Sequence, residues 1–453
     1  MNKILKKYLL YSLLGIVLLL FLYLTISYQI PALKRRIIFF ALLFFADIYL
    51  WDRVVVTFHL FSREKERKKR KRFGSIIFTV LYWLPLATVV CTMIVLNCKG
   101  VTSFAGTQYY NVVGVCVMLY LMKAVGAVIL LMYNSIAFIM LCFKTNKEKF
   151  GKKLVKGRKI VLKVDLIIFL LGIALLMYGM IYGAYAFQVK EVNIKTEHPV
   201  FQRNSLKVVQ ISDLHLGAWT DPTEVEKIVD LINEQSPDIL FFTGDLVQSS
   251  SSEMFKYMDI LGKLEAKKGI YSVLGNHDYA RYTYYDTQEK READVKQLID
   301  LQKKLGWKLL LNEFIKLPLD NQNDSIVIAG IEYWSPKKMF FNVGNIKETF
   351  RGIEQDDYVI FLSHDPHIWN EVKKQKLPAD ITLSGHTHGF QMGLDKGKIH
   401  FSPVSILYKE WGGVYVNEQN RTQYLYVNVG LGSVGLPARV GIYPEITVLN
   451  FSY

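Results

Sequence analysis

Residues 384–391 read Ser-Gly-His-Thr-His-Gly-Phe-Gln (SGHTHGFQ), and they follow the apolar, strand-like run Ile381-Thr382-Leu383. In an extended chain residues i and i+2 face the same way, so His386 and His388 are able to reach one region of space. The pattern repeats along the chain. LKVVQIS (206–212) runs into Asp213-x-His215, DILFFTG (238–244) into Gly244-Asp245, and GIYSVLG (269–275) into Gly275-Asn276-His277-Asp278. YVIFLS (358–363) runs into His364. Each strand-like run thus ends in Asp, His or Asn.

Between these runs lie helical patterns. Pro222–Glu234 is predicted as a helix opened by Asp221, with proline at its first position. Further helices are predicted at about 253–265 and 288–305, and further strands at 325–333, 379–385, 424–430 and 445–451. Strands alternating with helices predict an α/β domain with a largely parallel sheet and helices on its faces. The strand-rich later portion predicts a second sheet, so the fold class is two mixed sheets flanked by helices. Ligands in such folds bind beyond the carboxyl ends of the strands, where the five clusters must then converge.

The other portion of the chain has a different character. Of 453 residues, 51% are hydrophobic, and the mean hydropathy is positive. Residues 1–190 hold 27 Lys/Arg against 6 Asp/Glu, while residues 191–453 hold 28 against 34. The mildly acidic second portion carries no electrostatic footprint for nucleic acid. All four cysteines (Cys91, Cys98, Cys116, Cys142) precede residue 190 without metal-site spacing. Five apolar runs, 8–27, 37–56, 76–96, 113–143 and 166–187, approach or exceed the roughly 20 residues that cross a bilayer. The first is read as an uncleaved anchor rather than a signal peptide, because its apolar stretch is long and no small-residue cleavage site follows. The fourth is overlong, which predicts a tilted helix or an added interfacial segment.

The loops 62–73 and 144–163 hold eight and nine basic residues. The positive-inside rule places them in the cytoplasm, which puts the N-terminus inside and the chain after Phe187 outside, at a plasma membrane. The expected organisation is a multi-span membrane domain at 1–187, a linker at 188–204 and a catalytic domain at 205–453. Asp47, Asp52, Arg53 and Lys123 lie in or near the spans, and charge at such depth is a functional-site hypothesis. Asp52 and Arg53 are also close enough to a helix end to snorkel.

The ordered series of clusters resembles the calcineurin-like metallophosphoesterase family, whose pattern is DxH…GD…GNH[D/E]…H…GHxH. The resemblance covers about 200–453, with every motif present in order. With apolar runs ahead of it, the chain resembles the branch of transmembrane proteins with a metallophosphoesterase domain. The resemblance implies that Asp213, His215 and His388 hold one metal ion and that Asn276, His364 and His386 hold another, with Asp245 bridging. It makes His277 the general acid, oriented by Asp278, and Arg439 a phosphate-binding group. Two divalent ions about 3.5–4 Å apart stabilise the attacking and leaving oxygens of a phosphoester displacement. Mixed carboxylate and imidazole ligands suit Mn, Fe or Zn.

Two departures from the family pattern stand out: Gln248, where an acidic residue is common, and Phe390, where glycine is common. Neither removes a ligand. The aromatic loops 279–285, 334–341 and 405–416 are read chiefly as packing over the sheet ends, with an apolar rim facing lipid as the sharper reading. The expected partners are a phosphoester, lipid-linked in the sharper reading, and membrane lipid. The competing readings are a non-catalytic metal-binding interaction module and a membrane sensor or transporter with an accessory phosphoesterase.

Overall fold

The computed structural model describes residues 32–58, 69–99, 107–143, 147–320, 324–337, 341–397 and 399–453. They fall into a helical unit within Met1–Cys98 and Val112–Leu175, and a second unit formed chiefly by Leu176–Tyr453.

The helical elements are α1 (Ala32–Phe58), α2 (Lys69–Lys99), α3 (Thr107–Cys142) and α4 (Lys147–Ile181). The first expected span, 8–27, lies outside the described residues. Among those described, two helical stretches are long and apolar enough to cross a membrane, Gly114–Cys142 and Glu148–Tyr185. The apolar stretch of α2 is shorter, Gly74–Thr88, and Asp47, Asp52 and Arg53 interrupt α1. The overlong fourth run is one continuous helix, α3. Within this unit Lys123 Nζ donates to Asp47 Oδ2 at 2.9 Å and to the Tyr82 carbonyl at 2.9 Å. Both charged side chains are buried, so each screens the other in apolar surroundings. Arg53 pairs with its neighbour Asp52.

The second unit continues, in chain order, with β1 (Gln188–Lys195), β2 (Leu206–Ile211), α5 (Pro222–Glu234), β3 (Ile239–Phe242), β4 (Ile270–Ser272) and α6 (Gln288–Lys304). Next come β5 (Lys308–Leu309), β6 (Glu313–Pro318), β7 (Ser325–Gly330), β8 (Val359–Leu362), α7 (Ile368–Gln375) and β9 (Ile381–Ser384). The chain ends with β10 (Leu394–Lys396), β11 (Ile399–Phe401), β12 (Gly413–Val416), β13 (Tyr424–Val427) and β14 (Glu445–Ser452).

One sheet has the order β1-β14-β2-β3-β4-β5 and the other β12-β13-β9-β8-β7-β6. β2, β3, β4 and β5 are parallel, as are β7, β8, β9 and β13, while β14–β2, β6–β7 and β12–β13 are antiparallel. Strand alternation sorts the core into layers. Val208, Ile239 and Phe241 meet Ile328, Ile360 and Leu383 between the sheets. Val209, Leu240 and Phe242 face Val225, Ile228 and Ile232 of α5, and Val359 and Phe361 face Ile368 and Val372 of α7. The central strands are largely apolar on both faces because both faces are covered.

Two expectations need correction. The stretch 188–204 is not a linker: β1 pairs with β14 over all eight residues in parallel, so the α/β domain begins at or before residue 188. Its sequence, QVKEVNIK, is that of a half-exposed edge strand and resembles a polar connection. The helix expected at 253–265 is instead a 3₁₀ turn, Ser251–Lys256, followed by the one-turn helix Met258–Leu261. Four consecutive serines, 249–252, compete for the backbone groups a longer helix needs. By contrast, α5 starts where expected, with the Asp221 side chain accepting the Thr223 N–H.

Candidate metal centre

The parallel strands at the centre of each sheet deliver the clusters. β2 ends before Asp213 and His215, β3 before Asp245, and β4 before Asn276 and His277. From the other sheet, β8 ends before His364 and β9 before His386 and His388. The backbone turns abruptly there: Asp213, His215, Asp245, His386 and His388 all have positive φ, between 45° and 73°. Non-glycine residues seldom adopt this conformation, and it concentrates at functional sites. Glycines permit the close approach. A Cβ on Gly275 would lie 2.1 Å from Asp245 Oδ1, and one on Gly385 2.4 Å from Asp213 Oδ2.

The side chains form two adjoining groups. In one, His215 Nε2 and His388 Nε2 are 3.1 Å apart, and His388 Nε2 is 3.2 Å from Asp213 Oδ1. In the other, His386 Nδ1 and His364 Nε2 are 3.1 Å apart. Asp245 Oδ2 lies 3.6 Å from His215 Nε2 and 3.1 Å from His364 Nε2, so a single carboxylate oxygen faces both groups. The other oxygen, Oδ1, accepts the His277 N–H at 2.8 Å. Oδ2 is thus the oxygen open to both groups, while Oδ1 is taken by a backbone donor.

Hydrogen bonds fix which nitrogen points inward. His364 Nδ1 donates to the Thr243 carbonyl at 2.8 Å, which turns Nε2 towards the cluster, and His386 Nε2 pairs with the Tyr408 hydroxyl at 2.8 Å, which turns Nδ1 towards it. Such outer partners orient metal-binding imidazoles. Asn276 donates its amide to the Tyr282 hydroxyl at 2.8 Å, while its Oδ1 is buried with no hydrogen-bond partner.

The electrostatics favour a cation. Burial opposes the charged form of His364, but Asp245 and Asp213 outweigh it and push the imidazole up to about 10. Burial, and then His277, holds His215 well below its usual range. Asp213 and Asp245 are buried as well, and the surrounding imidazoles keep both carboxylates below the usual range despite that burial. Two buried carboxylates, four inward-facing imidazole nitrogens and an orphaned amide oxygen fit divalent metal ions of the nitrogen- and oxygen-loving kind. A cavity of about 440 Å³ opens on this centre, lined among others by Asn276, His277, Tyr282, His386 and His388.

Two expected roles do not match the geometry. Asp278 does not touch the His277 ring. Its carboxylate accepts the N–H groups of Asp245, Leu246, Val247 and Gly275 at 2.8–3.2 Å, tying the β3 and β4 loops together. Burial and Asp245 push this carboxyl up to about 7. His277 Nδ1 instead donates to the Gln248 carbonyl at 2.6 Å, and its ring stacks on Tyr282 with centroids 4.1 Å apart. Burial lowers its pKa, outweighing the opposing pull of Asp245 and the Gln248 carbonyl. Arg439 is fully buried behind the centre. Its Nη2 donates to the Gly432 and Val429 carbonyls at 2.6 and 3.0 Å and lies 3.4 Å from His388 Nδ1. It is a buried positioning residue beside His388, with its Nη2 engaged by backbone carbonyls.

Glu253 and Tyr408 are the residues that sequence reasoning missed. Glu253 accepts N–H groups from Gly217, Gln248, Ser249 and Ser250, and so holds the loop whose carbonyl anchors His277. Its signal was present in the sequence, for Ser250-x-x-Glu253 is a capping box. Tyr408 lay in an aromatic loop read as packing and carried no motif.

Residues 206–390 match the family described as calcineurin-like phosphoesterase. It is 28% identical over 278 residues to the "transmembrane protein with metallophosphoesterase domain" of Danio rerio, covering 60% of this chain and 59% of that one. It is 27% identical to an uncharacterized metallophosphoesterase of Aquifex aeolicus, covering 59% and 92%. With the uncharacterized metallophosphoesterase YkoQ of Bacillus subtilis it shares 29% identity, covering 57% and 88%. The chain thus spans less than two thirds of the length of the Danio rerio relative.

Proposed function

We propose that the chain is a membrane-anchored phosphoesterase that depends on two divalent ions and hydrolyses phosphate mono- or diesters, those of a lipid or envelope component in particular. One observation carries the reading: two ligand groups meet at a single oxygen, Asp245 Oδ2, within 3.6 Å of imidazoles on both sides. Asp213, His215 and His388 would hold one ion, and Asn276, His364 and His386 the other, both sharing Asp245. Bound there, the ions supply charge neutralisation at the phosphate and a water of lowered pKa as nucleophile.

The chain's own groups supply the rest. The Gln248 carbonyl accepts the His277 Nδ1 proton, so Nε2 is the atom that, in the imidazolium form, passes a proton to the leaving oxygen. Tyr282, stacked on His277, orients that ring and narrows the mouth. Asp278 and Glu253 keep the two ligand loops in register through backbone N–H groups. Anchoring rests on the apolar run 166–187 that leads directly into β1, and the basic loops 62–73 and 144–163 support a catalytic domain outside the cytoplasm.

The test uses the full chain in detergent, stripped of metal and given Mn²⁺, Fe²⁺ or Zn²⁺, with p-nitrophenyl phosphate and bis-p-nitrophenyl phosphate as substrates. Metal-dependent turnover that Asp245→Asn abolishes is the expected result. A folded, metal-loaded chain with no turnover on either ester or on a phospholipid would overturn the proposal.

A further inference from the structure

The hairpin β10–β11 is built inside out for a protein in water. Leu394 pairs with Phe401 and Lys396 with Ile399, which puts these four side chains on one face, and Asp395 and His400 on the other. The polar face is the one seated on the domain. Asp395 accepts from Lys190 at 3.2 Å, and His400 stacks on Trp411 with centroids 4.1 Å apart and pairs with the Tyr415 hydroxyl. The apolar face points outward: Leu394, Ile399 and Phe401 are 55–57% exposed. The following turn, Pro403–Ile406, adds Ile406 at 87% exposure, beside an exposed Leu407. Contiguous exposed apolar residues of this kind mark a contact surface.

The contacts of the hairpin's base indicate what covers it. Lys190, which holds Asp395, lies three residues beyond the end of the apolar run 166–187. The loop that pairs with the hairpin's start touches that run directly. The Gly393 N–H donates to the Val440 carbonyl, and the Arg439 N–H donates to the Gly179 carbonyl at 3.1 Å. A Cβ on Gly183 would strike the Arg439 carbonyl at 1.9 Å, so this approach requires glycine. Tyr178 and Tyr443 share a hydrogen bond at 3.0 Å. At a rise of about 1.5 Å per residue, Gly179 lies roughly 10 Å inside the polar end of the run. Exposed Tyr178, Tyr182 and Tyr185 line the last turns before β1, and tyrosines are enriched at membrane–water interfaces.

Resting on the reading of 166–187 as a membrane anchor, we propose that the outer face of β10–β11 and the turn after it seat in the lipid bilayer. Leu394, Ile399, Phe401, Ile406 and Leu407 enter the headgroup–acyl boundary, and Lys396 meets anionic headgroups. The seat adjoins the metal centre: Tyr408, two residues past Ile406, carries the hydroxyl that holds His386. A phosphoester whose apolar tail stays in the leaflet therefore has its phosphate at the level of the cavity.

The full chain, with its four cysteines replaced by alanine, is given one cysteine by Ile399→Cys, labelled with a small fluorophore and reconstituted in vesicles of phosphatidylcholine and phosphatidylglycerol. Ile399 is exposed, so the substitution spares the core. Gln375→Cys, exposed at the end of α7 before β9 begins, is the control. Lipid carrying a nitroxide near the glycerol end of its acyl chain is expected to quench the label at 399 several-fold more than the label at 375. Equal quenching at both positions overturns the proposal, as does shielding of 399 that follows protein density rather than nitroxide, which would mean a second copy on this face. Hydrolysis of bis-p-nitrophenyl phosphate by the same vesicles reports on the metal site alone, so failure of the seat and failure of the phosphoesterase reading are told apart.

Discussion

The helical unit and the α/β unit both bury charge, and they do so in opposite ways. In the first, Lys123 and Asp47 are buried and 2.9 Å apart, and the Tyr82 carbonyl takes a further proton of the ammonium. The pair is balanced in charge: a cation meets an anion, although Asp47 Oδ1 is buried without a hydrogen-bond partner. In the second, Asp213 and Asp245 converge with His215, His364, His386 and His388, and the nitrogens of neighbouring rings face one another at 3.1 Å. Asn276 Oδ1 points inward with no partner at all. Such a cluster is open, and it becomes satisfied only when cations enter. Burial alone would have flagged both regions as functional; what separates them is that Lys123 and Asp47 pair one to one, whereas the second region gathers several groups able to hold a cation.

Experiments that break either arrangement should therefore differ in kind. The largest effect is expected at Asp245, whose one oxygen faces both ligand groups. Asp245→Asn should bring hydrolysis to background, with both metals weakened together in a binding titration. His277→Asn should leave metal affinity near normal and lower kcat by about 10²–10⁴, the usual worth of a positioned general acid. Lys123→Met should act on stability alone. Leaving Asp47 buried without its partner costs about 3–5 kcal/mol, and adding Asp47→Leu should recover most of it, as measured by thermal unfolding of the full chain in detergent. The smallest effect is expected at Tyr408→Phe. Losing the hydroxyl that orients His386 should weaken one metal by about 10–100-fold and leave the other unchanged, giving a titration split into two steps.

Much of the α/β domain could be read from the chain. The central strands are largely apolar on both faces, and the residue types that bind metal recur directly after them, so β2, β3, β4, β8 and β9 and their clusters were visible as pattern. β1 was not, because an edge strand reading QVKEVNIK buries too little to show a period. The hairpin β10–β11 was hidden for the opposite reason, since its exposed face is the apolar one. Within the site, ligand types were legible but orientation was not. The period-two argument for His386 and His388 fails locally, because both residues have positive φ beyond the end of β9 and address different groups. Asp278 looked like a partner for its neighbour His277, yet its carboxylate bonds backbone N–H groups of the β3 and β4 loops. Arg439 looked like a phosphate binder, and only the packing of residues 429–439 shows it turned inward.

The central claim is that two ion sites share Asp245, and metal stoichiometry tests it most directly. The full chain, stripped of metal and titrated with Mn²⁺ or Zn²⁺ by calorimetry, should take up two ions per chain, and Asp245→Asn should weaken both. One ion per chain, or two whose affinities Asp245→Asn leaves unchanged, would contradict the shared centre.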